Sequence, residues 1–285
     1  MNRIQIAAIA LLTSAAAAAE APLWLRDVKI SPDGSTLAFT YKGNIYTVAA
    51  DGGTAKQLTT GPSYNTTPIW SPDGKTIAYT SDAHGNFDIY AIPSAGGVPT
   101  RLTTHSAAET PETFSPDGKY ILYSASIQDP AASAMFPTSL ESELYRVPAG
   151  GGAPQRVEAT AIQRPVYSPD GSLILYQRTP GMENEWRKHH TSSVTGDIWS
   201  LDTKSGTHTN LTSRPGEDRD PAFSPDGKTV YYLSERNGGS FNVYSAPLSD
   251  LNSVKALTNF KTHPVRFLSA SKTGRLAFAY DGEIY

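Results

Sequence analysis

The cysteine and histidine content limits which metal chemistry this chain can support. The 285 residues contain no cysteine, which excludes disulfides and thiolate metal sites. The most concentrated possible metal ligands are His189 and His190, which follow Arg187 and Lys188 directly. Adjacent residues of an extended segment point to opposite faces, and the two neighbouring cations repel a metal ion. We therefore predict no metal site and no cofactor in this chain.

Serine is the remaining candidate nucleophile, but its sequence context is that of a turn residue. The sequence contains no Gly-x-Ser-x-Gly elbow. Serine instead recurs in five copies of Ser-Pro-Asp-Gly, which start at Ser31, Ser71, Ser115, Ser168 and Ser224. Proline at the second position and glycine at the fourth are typical of a type I β-turn, and the aspartate can accept local backbone N–H groups. We therefore predict turn roles for these residues and no catalytic residue in the chain.

Two long segments carry residue types suited to binding. They span residues 126–140 and 179–195, and long connections in a compact domain are often functional. Aromatic and arginine side chains on one exposed patch favour interaction, so we predict an interaction surface formed by Phe136, Trp186, Arg187, Lys188, His189 and His190. The alternative is that these loops cover a channel or pack on each other. Because the positions are in loops, we expect an alanine at Trp186, Arg187 or Lys188 to cost less than about 0.5 kcal/mol of stability.

The Ser-Pro-Asp-Gly copies define an internal repeat. They are 40, 44, 53 and 56 residues apart, and a sixth, decayed copy starts at Ser271 after a further 47 residues. Strand-like residues precede and follow each turn, a third strand carries an aromatic as in Ile45-Tyr46, and a fourth strand usually ends in Leu-Thr. Four strands at this period are typical of a propeller blade. The sequence predicts an all-β fold, a six-bladed β-propeller of four-stranded antiparallel blades.

The last predicted blade is incomplete. The sequence stops at Tyr285, on the aromatic of the sixth third strand, and the N-terminal region has room for only one strand before Ser31. We therefore expect a fragment of a longer polypeptide. We also expect side-chain packing alone to hold the first and sixth blades together.

The N-terminus predicts export. Arg3 precedes an apolar stretch at residues 4–12, and alanines at 15–19 provide a cleavage zone, so we predict a signal peptide at residues 1–19 and a propeller at residues 20–285. We expect a periplasmic protein. The net charge of −3 gives no reason to expect nucleic acid or, after signal removal, a membrane as a partner.

The repeat resembles a known group. Residues 71–79, followed by Asp88-Ile89-Tyr90 and Leu102-Thr103, are similar to the propeller repeat shared by TolB proteins and tricorn-type peptidases. Segments 22–26, 186–193 and 233–236 narrow the resemblance to the N-terminal propeller of bacterial tricorn-like serine peptidases of the S41 family.

The resemblance implies a non-catalytic propeller that docks or channels peptides. Its implied partners are a peptide or protein substrate and downstream peptidase domains, and an oligomer is compatible with it. Two alternatives stay open. One is a stand-alone TolB-like protein-binding propeller, and the other is the propeller of another hydrolase, prolyl-oligopeptidase-like or amidohydrolase-like.

Overall fold

The described elements of the chain are all β-strands. The computed structural model describes residues 24–127, 142–179, 181, 183–184, 186–188, 193–238 and 240–285. None of these residues belongs to a helix long and apolar enough to cross a membrane. The strands form six antiparallel sheets, each built from consecutive strands. We refer to each sheet as a blade and number the blades in chain order.

The first three blades contain four strands each, paired in chain order. Blade 1 consists of β1 (Arg26–Ile30), β2 (Thr36–Tyr41), β3 (Asn44–Ala49) and β4 (Lys56–Gln57). Blade 2 consists of β5 (Asn65–Trp70), β6 (Thr76–Ser81), β7 (Asp88–Pro93) and β8 (Thr100–Arg101). Blade 3 consists of β9 (Glu109–Phe114), β10 (Tyr120–Ala125), β11 (Glu143–Pro148) and β12 (Gln155–Glu158).

The last three blades follow the same order, but blade 6 has three strands. Blade 4 consists of β13 (Gln163–Tyr167), β14 (Leu173–Arg178), β15 (Asp197–Asp202) and β16 (His208–Asn210). Blade 5 consists of β17 (Asp218–Phe223), β18 (Thr229–Ser234), β19 (Asn242–Pro247) and β20 (Lys255–Ala256). Blade 6 consists of β21 (Arg266–Ala270), β22 (Leu276–Tyr280) and β23 (Glu283–Ile284). The predicted fold class, with its incomplete last blade, is confirmed.

Each Ser-Pro-Asp-Gly turn joins the first two strands of its blade and is held by its own side chains. In blade 5 the Ser224 hydroxyl donates to the Asp226 carboxylate at 2.6 Å and accepts from the Thr229 N–H at 2.9 Å. Asp226 also accepts from the Lys228 N–H at 3.1 Å. These bonds hold the pKa of Asp226 below its ordinary value, and the bond from Ser224 has the largest effect. The other four copies make the same bonds, which confirms the predicted turn role.

The same turns contact one another around the ring. Gly227 has φ +70°, and a Cβ placed there would lie 3.2 Å from Pro169 of blade 4. Gly171 has φ +73°, and its Cβ would lie 3.3 Å from Pro116 of blade 3. The left-handed conformation and the close approach both require glycine. One tetrapeptide therefore makes both the turn and a contact between neighbouring blades.

The hydrophobic core is divided into six clusters, and each cluster lies between two neighbouring blades. Between blades 1 and 2, for example, Ile45 packs in one cluster with Tyr79. Between blades 6 and 1, Ala277 packs in one cluster with Phe39. Because blade 6 packs on blade 1 as the other neighbours pack on each other, the six blades close into a ring.

A repeated backbone hydrogen bond also joins neighbouring blades. The donor is the N–H of a residue at the start of one blade, and the acceptor is the carbonyl just before the third strand of the preceding blade. The distance is 2.8–2.9 Å. The donors are Asn65, Glu109, Asp218 and Val265. Leu25 of blade 1 donates in the same way to Gly282 of blade 6 at 3.1 Å. The Lys272 N–H of blade 6 also donates to the Pro32 carbonyl at 2.9 Å. The expectation that side-chain packing alone closes the ring is therefore wrong.

One carboxyl group is fully buried between blades 2 and 3. Glu109 has 0% exposure, and its backbone forms the bond between these blades. Burial raises the pKa of its side chain to about 7, and the nearby Asp88 carboxylate adds to this rise. A hydrogen bond from the Thr103 hydroxyl acts in the opposite direction. Burial of a charged carboxylate is unfavourable, so the protonation state of Glu109 affects the stability of this part of the ring.

We predict that Glu109→Gln reduces the pH dependence of stability. Between pH 4.5 and about 7 folded Glu109 keeps its proton while the unfolded chain releases it. The free energy of unfolding of the native protein therefore falls through this window and stays lower above it. At pH 8 the variant should be more stable than the native protein by up to about 3 kcal/mol, and near pH 4 this advantage should vanish. Urea denaturation at pH 4 and at pH 8 measures the free energy of unfolding of the native protein and of the variant. Glu283→Gln, at an exposed position, is the control. An advantage for Glu109→Gln that is equal at both pH values would contradict the prediction.

Candidate functional site: the central channel and the segment at its end

The first strands of all six blades surround a central channel. Its cavity volume is about 700 Å³. At one end each blade contributes the second residue of its turn, which gives a rim of Pro32, Pro72, Pro116, Pro169, Pro225 and Lys272. A cavity of this size lies within the roughly 300–1,000 Å³ range of ligand sites.

Each first strand bulges four residues before its turn serine, and the residue at that position lines the channel. In five blades this residue has a positive φ, between 51° and 58°. The pairing between the first and second strands shifts register at or beside it. The five residues are Asp27, Thr67, Arg164, Asp220 and Phe267. Blade 3 has Pro111 there, whose ring does not permit a positive φ. The repeat thus places six residues of five types around one ring of the channel, three of them charged.

Contacts between blades fix these charges. Arg164 forms an ion pair with Asp220 of the next blade. Asp27 accepts a hydrogen bond from the Thr66 hydroxyl of blade 2 at 2.8 Å. Burial opposes ionisation of Asp220, but Arg164 and then Arg219 outweigh it and hold the pKa of Asp220 below its ordinary value. The channel therefore carries charges whose positions are set by the ring itself.

Glu112 adds a carboxyl group that changes charge near neutral pH. It lines the channel and accepts a hydrogen bond from the Ser124 hydroxyl at 2.8 Å. Burial raises its pKa to about 7, against the opposing effects of Ser124, Arg164 and Lys29. Lys29 and Lys272 also line the channel, so cationic and acidic residues border the same space.

Part of the predicted interaction loop lies at the other end of the channel. The Trp186 ring is 4.9 Å from the Arg26 guanidinium of blade 1 and 4.8 Å from that of Arg266 in blade 6. It also meets the ring of Phe267, a channel-lining residue, at 6.0 Å. Trp186 remains 44% exposed. The loop that leaves blade 4 therefore reaches blades 6 and 1 on the face opposite the proline rim.

Arg187 does not belong to an exposed surface. It is only 5% exposed, and its guanidinium donates to Glu235 and to Glu217 at 2.6 Å each. It also lies 5.2 Å from the Phe241 ring centre. The expected exposed loop position is therefore wrong for Arg187, and its replacement would remove the guanidinium that is hydrogen-bonded to two buried carboxylates.

The six residues of the predicted surface divide into three groups. Trp186 and Lys188 are exposed, and the Lys188 ammonium lies 2.7 Å from Nδ1 of His263. Arg187 is buried. Phe136, His189 and His190 lie outside the described residues. In the part of the chain that the structure describes, no three His, Asp or Glu side chains are grouped to hold a metal ion.

Sequence reasoning missed the channel residues, although the repeat contained a usable pattern. Aligning the copies on their turn serine brings Asp27, Arg164 and Asp220 to one position. Charged residues are unusual in the middle of a strand that lies in the interior of a protein. Their shared position could have indicated a polar ring.

The fold and the channel define a six-bladed β-propeller, and a family model identifies it further. Residues 22–285 match the model described as the Tricorn protease N-terminal beta propeller domain. The chain therefore belongs to this family. The resemblance of the repeat to the tricorn N-terminal propeller is confirmed.

Individual relatives are distant. Uncharacterized peptidase YuxL of Bacillus subtilis is 28% identical over 242 residues, which cover 72% of this chain and 29% of that protein. Dipeptidyl-peptidase 5 of Porphyromonas endodontalis is 27% identical over 236 residues, which cover 80% of this chain and 31% of that protein. The chain thus spans less than a third of the length of these relatives.

Solved structures share the fold. The crystal structure of the tricorn protease matches with a TM-score of 0.75 and 21% identity over 93% of this chain and 25% of that chain. The structure of a putative TolB from Agrobacterium tumefaciens matches with a TM-score of 0.68 and 22% identity, over 90% of this chain and 89% of that one. At these identities the likeness concerns the fold alone.

We predict that two neighbouring substitutions differ sharply in cost. Arg187→Ala should lower the free energy of unfolding by about 3–5 kcal/mol, since it removes the cation bonded to buried Glu235 and Glu217 and leaves Glu217 with the more distant Arg219 at 3.7 Å. Lys188→Ala should change it by less than about 0.5 kcal/mol. Urea denaturation of both variants measures the difference. Equal, small effects would show that the Arg187 contacts do not stabilise the ring.

Proposed function

We propose that this chain is the non-catalytic propeller of a periplasmic tricorn-like serine peptidase and that it docks or guides peptides in its central channel. Family membership over residues 22–285 supports the link to peptidase domains. The observation that carries the peptide-binding role is the channel, whose volume is about 700 Å³ and whose wall mixes apolar rims with fixed charges. The proposal assigns binding, rather than cleavage, to this chain.

The rim of turn residues is the proposed entrance. An extended peptide has unpaired backbone groups and side chains of varied chemistry, so it needs a site that combines polar partners with apolar surface. Arg164, Asp220 and Glu112 supply the polar partners, while the prolines and Phe267 supply apolar surface. Because Trp186 lies at the opposite end of the channel, we propose that a peptide enters from the proline rim.

A TolB-type protein-binding propeller is the second candidate. The putative TolB from Agrobacterium tumefaciens is matched over 89% of its length, so a chain of this size can consist almost entirely of such a propeller. This candidate predicts that a folded protein, rather than an unfolded peptide, occupies the channel or its rim. The propeller of another kind of hydrolase remains compatible with the peptidase-named relatives.

We predict that peptides protect the channel from a thiol reagent. Because the chain has no cysteine, Thr113→Cys introduces a single reporter in the channel wall. An unfolded peptide mixture at about ten times its dissociation constant should slow alkylation of this thiol about tenfold, as simple occupancy requires. Mass spectrometry follows the rate.

The matched control for this experiment is Val98→Cys, at a position that is 86% exposed. Its alkylation rate should not respond to the peptides. Equal slowing at both positions, or none at residue 113, would contradict peptide binding in the channel. Protection of residue 113 by folded proteins alone would support the TolB-type candidate instead.

We also predict export with loss of the first 19 residues. In a Gram-negative host, osmotic shock should release a protein whose intact mass corresponds to a start near Glu20. Leu11→Arg places a charge in the apolar stretch and should keep the full-length chain in the cytoplasm. Release of uncleaved protein, or no effect of the substitution, would contradict a cleaved signal peptide.

A further inference from the structure

Pairs of an aspartate or asparagine followed by glycine recur through this chain and share one chemical weakness. The backbone nitrogen of the glycine can attack the carbonyl carbon of the preceding side chain, because glycine has no Cβ that hinders closure of a cyclic imide. The sequence contains eight such pairs, of which seven are Asp-Gly and one, Asn237-Gly238, is Asn-Gly. Local structure decides which pairs react, since the attacking nitrogen must reach the target carbon.

Five of the Asp-Gly pairs belong to the Ser-Pro-Asp-Gly turns, and each turn holds both reacting groups in hydrogen bonds. The glycine N–H donates at 2.9 Å to the serine carbonyl of its own turn, and the donors are Gly34, Gly74, Gly118, Gly171 and Gly227. The aspartate accepts from the serine hydroxyl at 2.5–2.6 Å. The glycine nitrogen and the aspartate carbon therefore cannot approach each other without breaking the turn.

The remaining two Asp-Gly pairs also have charged carboxylates with partners. The Gly52 N–H donates to a backbone carbonyl at 2.9 Å, and Asp51 forms an ion pair with Arg275 at 2.8 Å. Asp281 lies 3.2 Å from Nε2 of His263. An ionised carboxylate repels an incoming nucleophile, whereas the carboxamide of asparagine carries no charge. The single Asn-Gly pair therefore has the most reactive carbonyl carbon of the eight.

Asn237 and Gly238 lie in the turn between β18 and β19 of blade 5, and both residues are exposed. Among the described residues, no backbone carbonyl accepts a hydrogen bond from the Gly238 N–H. A Cβ placed on Gly238 would meet nothing within 4 Å. The turn therefore leaves space for the Asn237 side chain to fold back onto the next backbone nitrogen.

The corresponding turn of blade 2 makes the hydrogen bond that blade 5 lacks. Gly85 follows the end of β6 at the same spacing as Gly238 follows the end of β18, and the two glycines have φ angles of 103° and 104°. The Gly85 N–H donates to the Asp82 carbonyl at 2.9 Å. In blade 5 no equivalent bond joins Gly238 to Glu235. Blade 5 thus combines the reactive pair with the less protected turn.

We propose that Asn237 is a site of spontaneous covalent modification, at which the asparagine is converted into isoaspartate and aspartate. The Gly238 nitrogen loses its proton and forms a bond to Cγ of Asn237, the bond from Cγ to Nδ2 breaks, and ammonia leaves with that proton. Water then opens the cyclic imide at either of its two carbonyls, which gives aspartate or isoaspartate. The inference is independent of peptide binding in the channel.

The modification changes both charge and backbone on the face that carries Trp186. Glu235, two residues before the site, accepts a hydrogen bond from Arg187 at 2.6 Å, and Arg236 directly precedes the site. A new carboxylate therefore appears beside an arginine and close in sequence to the residue that holds the Trp186 segment. Isoaspartate also adds a methylene group to the main chain of the turn.

The test compares two Asn-Gly pairs in one folded chain. Asp226→Asn converts the blade 5 turn into Ser-Pro-Asn-Gly and keeps a side-chain oxygen that can accept from Ser224. The variant is incubated in mildly alkaline buffer, and peptide mapping by mass spectrometry follows the loss of each amide. Residue 237 should react at least about tenfold faster than residue 226, because the turn keeps its reacting atoms apart. In urea, which removes the turn, the two rates should become similar.

The products identify the reaction. Fragmentation spectra should show isoaspartate at residue 237, because only the imide can open toward the main-chain isomer. Three results would overturn the proposal. The first is an unmodified Asn237 in the folded chain over a period in which the unfolded chain reacts. The second is equal rates at residues 226 and 237 in the folded variant, which would show that the turn gives no protection. The third is aspartate without isoaspartate, which would indicate direct hydrolysis of the amide.

Discussion

The hydrogen bond between the serine hydroxyl and the aspartate carboxylate within each turn supports the rest of this propeller. In blade 5 it joins Ser224 to Asp226 at 2.6 Å, and the same hydroxyl accepts the N–H that begins the second strand. The turn that results places its glycine against the proline of the preceding blade. It also places its own proline at the channel rim. One local interaction therefore sets a hairpin, a contact between blades and part of the channel rim in five blades, although in blade 1 the turn glycine meets Thr273 of blade 6 instead of a proline.

Sequence variation is concentrated where this repeated framework permits it. The positions four residues before the turn serine share a backbone bulge but carry different side chains, so the ring can display Arg164 beside Asp220 without disturbing the blades. The connections between second and third strands vary from two residues in blade 1 to a long segment in blade 4. The framework is rigid because each blade packs on two neighbours, and rigid frameworks are suited to holding binding groups in place.

Hydrogen bonding of backbone groups contributes both to the closure of the ring and to the outer strands of its blades. The Leu25 N–H finds the Gly282 carbonyl across the last seam, as the equivalent N–H groups do at other seams. Threonine hydroxyls complete the third strands of four blades. Blade 6 closes the ring through the backbone bonds and side-chain packing of its inner strands.

The sequence by itself determined the turns, the number of blades and the aromatic position of each third strand, because those features depend on residues within a few positions of one another. The channel charges required the ring, since Arg164 and Asp220 lie 56 residues apart and meet only through blade packing. The burial of Arg187 likewise depends on Glu217 and Glu235, which are 30 and 48 residues away. A loop composition rich in Trp, Arg and Lys predicted an exposed surface for all three residues. Only the tertiary structure decided that Arg187 is buried, because carboxylates distant in the sequence compensate the loss of its hydration.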